Sequence, residues 1–387
     1  MEKLRFAILI IIVTISGFSQ GMLLPVLAII FEQQGYPASL NGLHATGLYI
    51  GVLLASPFME QPLRKFGYKK LIITGGCLVF LSLFCFTFIQ SFWLWFALRI
   101  LIGIGDHMLH FSTQTWITSI SSKENRGRNI SLYGFCFGLG FAAGPFLAGL
   151  AEIKPALPFI ITGSISFVIW LLAFLLRNDF PEDSGYSTVL ETAKRFTGAW
   201  KIGWIAFLPP FCYGFLEAAI NGSYPVYAIK TGMTAGQIGW LLPAFAVGSI
   251  IFQLPLGMLS DKYGRRNIIL FVMFFGFADF ALASLTSSFS LLLVFFLIAG
   301  MLVGTTFSLG LSYMADLLPK NLLPAGNLLC GICFSAGSII GPTLGGMYVQ
   351  LFKGGNPFHI ISIMLLSIFF INLFYKKPMH QKEEISI

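Results

Sequence analysis

Asp106, His107 and His110 lie within five residues of one another in a run with hardly another charge. Arg99, Gly103, Asp106, His110 and Thr113 recur at intervals of three and four, so a helix lays them along one face, with His107 and Gln114 beside it. A carboxyl group held away from water can take up and give back a proton, and an imidazole can pass one on. Proton carriage is the chemistry such a face could do, with Asp106 as the carrier and His107 or His110 lining its path. Arg99 stands two turns from Asp106, roughly 10 Å, and through a long side chain or water would adjust its affinity. The alternative is a fixed polar network that never titrates.

A second set, Tyr213, Glu217, Asn221 and Tyr224, also shares one helical face. Asn41, His44, Gln253 and Asp279 stand singly in other apolar runs, and Asp316 falls near the end of one. Inside a bilayer each ionisable group costs about 2.5 to 3.5 kcal/mol even on the lenient insertion scale, so each needs a partner, a cavity or a task. Asp279 would have to face a polar partner inside the protein, and Asp316 is placed at the interface.

The runs that hold these residues read as membrane helices. Hydrophobic residues make up 56% of the 387 and charged residues 10%, against roughly half and a quarter in soluble domains. Apolar stretches at 6–32, 38–59, 70–90, 92–118, 127–150, 157–177, 201–229, 236–259, 267–287, 289–315, 325–350 and 358–375 each reach the roughly 17 to 25 residues that a membrane helix needs. The expected fold is all-α and integral to the membrane, with twelve transmembrane helices. Of the 24 Lys and Arg, Lys154, Lys230 and Lys353 stand in one set of loops and Arg99 within a span. The rest precede the first span or fall in the other loops and the tail, among them Lys69, Lys70, Lys123, Arg126, Arg128 and Lys376. The positive-inside rule then puts both termini in the cytoplasm, and this placement accounts for the net charge of +8 without nucleic acid.

Lys3 and Arg5 ahead of an apolar run would also suit a signal peptide. The run continues past Pro25 to about Ile30 with no small-residue cleavage site, so it reads as the first span. All six cysteines fall in apolar stretches; Cys330-Gly-Ile-Cys333 has redox spacing but sits in a membrane helix, where packing is the better reading. The 41 phenylalanines read as lipid-facing and core residues, while Phe18, Phe111 and Phe215 could equally form an apolar wall for a ligand.

An internal repeat organises the chain. Gly140-Phe-Ala-Ala-Gly144-Pro145-Phe-Leu-Ala148-Gly149 is matched 197 positions later by Gly337-Ser-Ile-Ile-Gly341-Pro342-Thr-Leu-Gly345-Gly346. Small residues four apart let two membrane helices approach closely, and a proline in the next turn bends the helix or frees a carbonyl. The same offset superposes ten pairs of glycines, among them Gly17 on Gly214, Gly42 on Gly239, Gly51 on Gly248 and Gly103 on Gly300. With 41 glycines chance would give roughly two such pairs, so the repeat is real. The expected organisation is a six-helix bundle over 1–177, a cytoplasmic linker over 178–200, and a second bundle over 201–387 ending in a short cytoplasmic tail. The linker would start as a turn around Asp179, Pro181 and Gly185. It would then continue as a solvated connector or end in a short surface helix with Val189, Phe196 and Trp200 toward lipid. An even number of spans per half sets the two repeats parallel.

Between the eighth and ninth spans stands Gly257-Met-Leu-Ser-Asp261-Lys-Tyr-Gly264-Arg265-Arg266. Its glycines suit a helix end and a tight turn, Asp261 a neighbouring helix N-terminus, and the arginines the cytoplasm and lipid headgroups. Here the chain resembles the major facilitator superfamily, over nearly its full length. Arg99-Ile-Leu-Ile-Gly103-Ile-Gly105 and the glycine-proline stretch of the fifth span are also similar to motifs of that family. The resemblance implies a fold of two parallel six-helix repeats and alternating access, with the loop motif as a cytoplasmic latch. In the fifth span the resemblance is to the twelve-helix drug/proton antiporter branch, so Gly140, Gly144, Pro145 and Gly149 favour export. The loop between spans two and three departs from the pattern, with Glu60 for the first glycine and Arg64 for the aspartate. Asp261→Asn is therefore expected to reduce transport more than Arg64→Ala; equal, undiminished flux in both variants would remove the latch.

The first and seventh spans line the central chamber in that family, which implies that Gln20 and Glu217, matched by the repeat, meet substrate. Asn41, His44, Gln114, Tyr213, Asn221, Tyr224 and Gln253 are further substrate candidates, and Glu217 is also a candidate for proton binding. The alternative for Glu217 is a hydrogen-bonded packing acid. The chain contains no Gly-x-x-x-x-Gly-Lys-Ser/Thr loop for ATP, no metal-ligand cluster and no nucleophile constellation. Neither enzymatic activity, a cofactor nor a metal is expected. The resemblance implies proton-coupled efflux of a small organic molecule by a monomer in the cytoplasmic membrane, with protons and lipid as its other partners. Alternatives are proton-coupled uptake, dedicated export of one metabolite or metallophore, and, without transport, a receptor or a lipid-moving protein.

Overall fold

A computed structural model describes residues 2–88, 91–121, 126–181, 189–319, 322–352 and 354–375. Twelve helices in it are long and apolar enough to cross a membrane. Spans 1 to 6 are Leu4–Gln33, Ala38–Phe58, Tyr68–Phe88, Phe92–Ile120, Leu132–Ile153 and Leu157–Leu175. Spans 7 to 12 are Lys194–Lys230, Ala235–Tyr263, Arg265–Ala283, Phe289–Leu317, Ala325–Leu351 and Pro357–Phe374. Their bounds follow the expected stretches closely except at span 7, whose helix begins at Val189. The end of the linker is thus not a separate surface helix but the first turns of that span. Ala199 is fully buried there, and the half-exposed Trp200 stacks on Phe207 two turns along the same helix, with ring centroids 5.5 Å apart. Residues 182–188 and the tail beyond Tyr375 lie outside the described residues, as do the side chains of Glu60, Arg126, Arg128 and Val189.

Glycines set which helices touch. A Cβ at Gly17 would strike the Phe137 carbonyl, and one at Gly214 the Phe334 carbonyl, so span 1 crosses span 5 as span 7 crosses span 11. Gly140 meets the Thr14 carbonyl and Gly337 the Phe211 carbonyl, again 197 positions apart on both sides of the contact. Spans 2 and 4 cross at Gly51 and Gly103, spans 8 and 10 at Gly248 and Gly300. Backbone-to-backbone approach of this kind requires the absence of a side chain, which is how the glycine repeat becomes a repeated packing scheme. The halves are not identical in detail. Span 5 passes through a 3-10 turn over Gly144–Leu147, whereas span 11 stays α-helical through Pro342.

Each half also ties its second loop to its sixth helix with one basic side chain. Lys69 Nζ donates to the Phe174 carbonyl at 2.8 Å. Arg266, its counterpart at the same offset, donates through Nη2 to the carbonyls of Asn372, Leu373 and Tyr375 at 2.7, 3.0 and 2.8 Å. A cation on the open carbonyls of a helix C-terminus also opposes the helix dipole. The expectation that Arg265 and Arg266 face headgroups is corrected by these contacts. Arg266 caps span 12, and Arg265 pairs with Asp261, bonds Ser260 and reaches Asp316 at 3.3 Å.

Candidate functional site

Asp106 is 1% exposed and faces span 1, not lipid. Ser16 Oγ donates to its Oδ1 at 2.7 Å and lies 3.2 Å from His110 Nε2. The other ring nitrogen of His110, Nδ1, is 2.5 Å from the Tyr133 hydroxyl of span 5. Thr113 Oγ1 donates to the Leu109 carbonyl at 2.6 Å and stands 3.5 Å from Tyr133. Gln20 Nε2 lies 3.4 Å from His110 Nε2, and both residues are only partly buried. Asp106 Oδ2 has no hydrogen-bond partner. A buried acid is therefore joined, through one hydroxyl, to an imidazole that is partly exposed. Ser16 and Tyr133 were not singled out in the sequence. The available signal was position: Ser16 precedes Gly17, which touches span 5, and sits one turn from Gln20.

Arg99 does not join this group. Its Nη1 lies 3.1 Å from His44 Nδ1, and both residues are sealed, at 1% and 0% exposure. The His44 ring packs edge-on against Phe31, Phe92 and Phe96, with centroids 4.5 to 5.7 Å apart. The expected action of Arg99 on Asp106 is thus corrected to a pair with His44, and His44 is removed from the substrate candidates. His107, next to Asp106 in sequence, turns toward span 2, where its Nε2 is 3.1 Å from Ser56 Oγ. Asn41 is sealed as well, donating to the Ala28 carbonyl of span 1 at 2.7 Å.

The opposite wall is built around Glu217. Tyr213 lies one turn before it, and the Tyr213 ring is 6.0 Å from Phe334 and 6.4 Å from Phe307. From the first half, the Tyr49 ring stands 6.2 Å from Phe334, and Tyr49 lies within electrostatic range of both Arg99 and Glu217. Glu217 thus sits at the boundary between the halves. Two neighbours on its predicted face do other work. Asn221 donates to the Glu217 backbone carbonyl at 2.8 Å, and Tyr224 stacks on Phe358 at 4.8 Å inside the second half. Tyr224 is 1% exposed and sealed in that stack, which corrects its assignment to substrate. Gln114 and Gln253 are exposed, Phe18 and Phe111 partly exposed, and Phe215 is buried. Asp279 is buried in the second half with Oδ2 unpartnered.

Contacts joining the halves gather at the end away from the termini. Gly346 of span 11 meets the Ala38 backbone, and Gly42 of span 2 meets the Pro342 carbonyl. Ser39 N donates to Gln350 Oε1 at 3.1 Å. Glu152 Oε1 of span 5 accepts from Ala235 N at 2.6 Å, which places a carboxylate on the N-terminus of span 8. Lys230 reaches Glu32 at 3.7 Å. The pseudo-symmetric crossing is looser, since a Cβ at Gly149 would still lie 3.6 Å from Gly236. The far end is closed in this arrangement. A thiol-reactive cross-linker between Ser39→Cys and Gln350→Cys is therefore expected to arrest transport, and cleavage of a reducible linker to restore it. Undiminished flux with the link in place would show that this end need not open.

The same arrangement of helices is found in known proteins. The sequence matches the family profile described as Major Facilitator Superfamily over residues 9–208 and again over 206–386. It is 59% identical over 369 residues to the uncharacterized MFS-type transporter YfkF of Bacillus subtilis (strain 168), covering 95% of this chain and 94% of that one. It is 24% identical over 352 residues to the MFS-type transporter YcaD of Salmonella arizonae, covering 88% and 87%. Among solved structures, the nucleoside transporter NupG superposes with a TM-score of 0.78 at 14% identity, over 96% of this chain and 99% of that one. A bacterial homolog of the human lysosomal transporter Spinster, in an inward-facing and unoccupied conformation, gives 0.74 at 16% identity, over 95% and 91%. At such identities the two structures bear on the fold alone. Two tandem matches spanning residues 9 to 386, and a relative this similar over nearly its whole length, establish that the chain belongs to the major facilitator superfamily.

Proposed function

We propose that this transporter moves a small organic molecule out across the cytoplasmic membrane by alternating access, coupled to proton entry. The observation that carries the reading is the placement of two acids. Asp106 lies inside the first half and connects to partly exposed His110, and Glu217 lies where the halves meet. An acid facing lipid could do neither task; one that communicates with a chamber can exchange its proton as the chamber changes sides. Bundles over 1–177 and 201–387 would rock as units about the closed far end. By the positive-inside rule the termini lie in the cytoplasm, so the far end faces outward and molecules load from within. The Gly140–Gly149 stretch, with its 3-10 turn, supports export through its likeness to the antiporter pattern. Gln20, His110 and Gln114 would offer hydrogen bonds to the cargo, and Tyr213, Phe307 and Phe334 apolar faces.

Growth of cells lacking and over-producing the protein, across a panel of solutes, identifies a carried molecule. The purified protein is then placed in vesicles with an imposed proton gradient. Opposite flow of proton and solute is the expected result. Flow in the same direction would make the protein an uptake system, and solute movement without proton flux would overturn the coupling.

A further inference from the structure

We propose that the Ser16 hydroxyl is the proton relay between His110 and Asp106, and that Tyr133 is the positioning residue that sets the direction of the relay. The inference rests on the proton role of Asp106 stated above. It starts from what each hydrogen can do. Ser16 has one hydroxyl proton and gives it to Asp106 Oδ1 at 2.7 Å, so toward His110 Nε2, at 3.2 Å, its oxygen can only accept. His110 must then carry its proton on Nε2, with the Gln20 amide, 3.4 Å away, turned so that its oxygen faces that proton, and Nδ1 must accept. Tyr133 fits that requirement: its hydroxyl lies 2.5 Å from Nδ1 and 3.5 Å from the His110 carbonyl, while the Thr113 proton is already given to Leu109. All three bonds therefore point the same way, from Tyr133 through His110 and Ser16 to the acid.

The step balances. The Tyr133 hydroxyl swings to the His110 carbonyl and Nδ1 takes a proton from chamber water, which makes the ring an imidazolium. His110 Nε2 then gives its proton to Ser16 Oγ as the Ser16 proton passes to Asp106 Oδ1. One proton has moved from water to the carboxylate, and His110 is again neutral, as the other tautomer. Behind Ser16 lies a cavity of about 20 Å³ walled by Ile12, Ile72, Val79 and Trp170, with Ser166, room for little more than a single water. Spans 3 and 6 present no charge to it. Span 1 contributes Ser16 and Gln20, the fourth span His107, which is within electrostatic range of His110, and span 5 Tyr133, within range of Asp106.

The test needs no substrate. Purified protein is subjected to a rapid drop in pH, and the carboxylic acid C=O stretch of Asp106, identified by its loss in Asp106→Asn, is followed by time-resolved infrared spectroscopy. Ser16→Ala is expected to slow the appearance of that band by about 100-fold, the scale of an assisted proton transfer, with its final amplitude preserved. Ser16→Thr, which keeps the hydroxyl, should restore the rate, and Tyr133→Phe should slow it less than Ser16→Ala does. Protonation of Asp106 at the wild-type rate in Ser16→Ala would overturn the relay while leaving the proton role intact. A Ser16→Thr variant as slow as Ser16→Ala would overturn it in favour of packing. If the Asp106 band fails to appear in the wild type at any pH, the proton role itself falls, and the relay with it.

Discussion

Asp106→Asn is expected to abolish proton-driven transport, lowering gradient-driven flux by about 100-fold or more, the scale lost with an acid-base group, while exchange of labelled for unlabelled solute without a gradient should persist. The amide keeps the shape of the carboxyl and can still accept from Ser16 at Oδ1, so the contact between spans 1 and 4 is retained. What it cannot do is change charge. The cost to the fold is confined to the second position, where Oδ2 has no partner and an amide nitrogen would be left unbonded, at about 1 to 3 kcal/mol. A thermal unfolding curve separates that loss from a loss of coupling. Reconstituted Asp106→Asn that still concentrates solute at the expense of a proton gradient would remove Asp106 from the mechanism.

The fold was legible because its determinants are local and chemical. A span announces itself by apolar length, and a close helix crossing by a glycine where no side chain fits; the offset of Gly17 to Gly214 and Gly140 to Gly337 reappears in the helix pairs themselves. The site was legible only in part, for a physical reason. Helical periodicity tells which residues share a face but not which neighbour the face meets. Arg99 and Asp106 do share one, yet Arg99 meets His44 of span 2 and Asp106 meets Ser16 of span 1. Tyr224 follows Glu217 by two turns, yet its ring is buried on Phe358 inside the second half, a partner that spacing does not name. Ser16 and Tyr133 passed unnoticed because a hydroxyl in an apolar run has no charge to mark it, and both matter only through a histidine that is remote in sequence.

Gly140→Ala should be the more damaging substitution for the folded protein, although it adds only one methyl group. Overpacking a core typically costs about 1 to 3 kcal/mol when side chains can shift to make room. At Gly140 the added carbon would meet the Thr14 carbonyl and the Phe18 amide nitrogen, both backbone atoms of span 1. Backbone cannot change rotamer, so spans 1 and 5 must separate along the whole crossing, including Gly17 against Phe137 and Gly144 against Phe18. The same separation would pull Ser16 on span 1 and Tyr133 on span 5 away from His110, which bonds both. A marked fall in the thermal unfolding midpoint is therefore expected together with loss of proton coupling, and Gly337→Ala should destabilise span 7 against span 11 in the same way. Gly134→Ala is the control on the same helix as Gly140, since nothing lies within 4 Å of its added carbon; a change within about 0.5 kcal/mol is expected there. Equal tolerance of alanine at positions 134 and 140 would mean that the two helices are not held by this crossing, and the tandem glycine pattern would then need another cause.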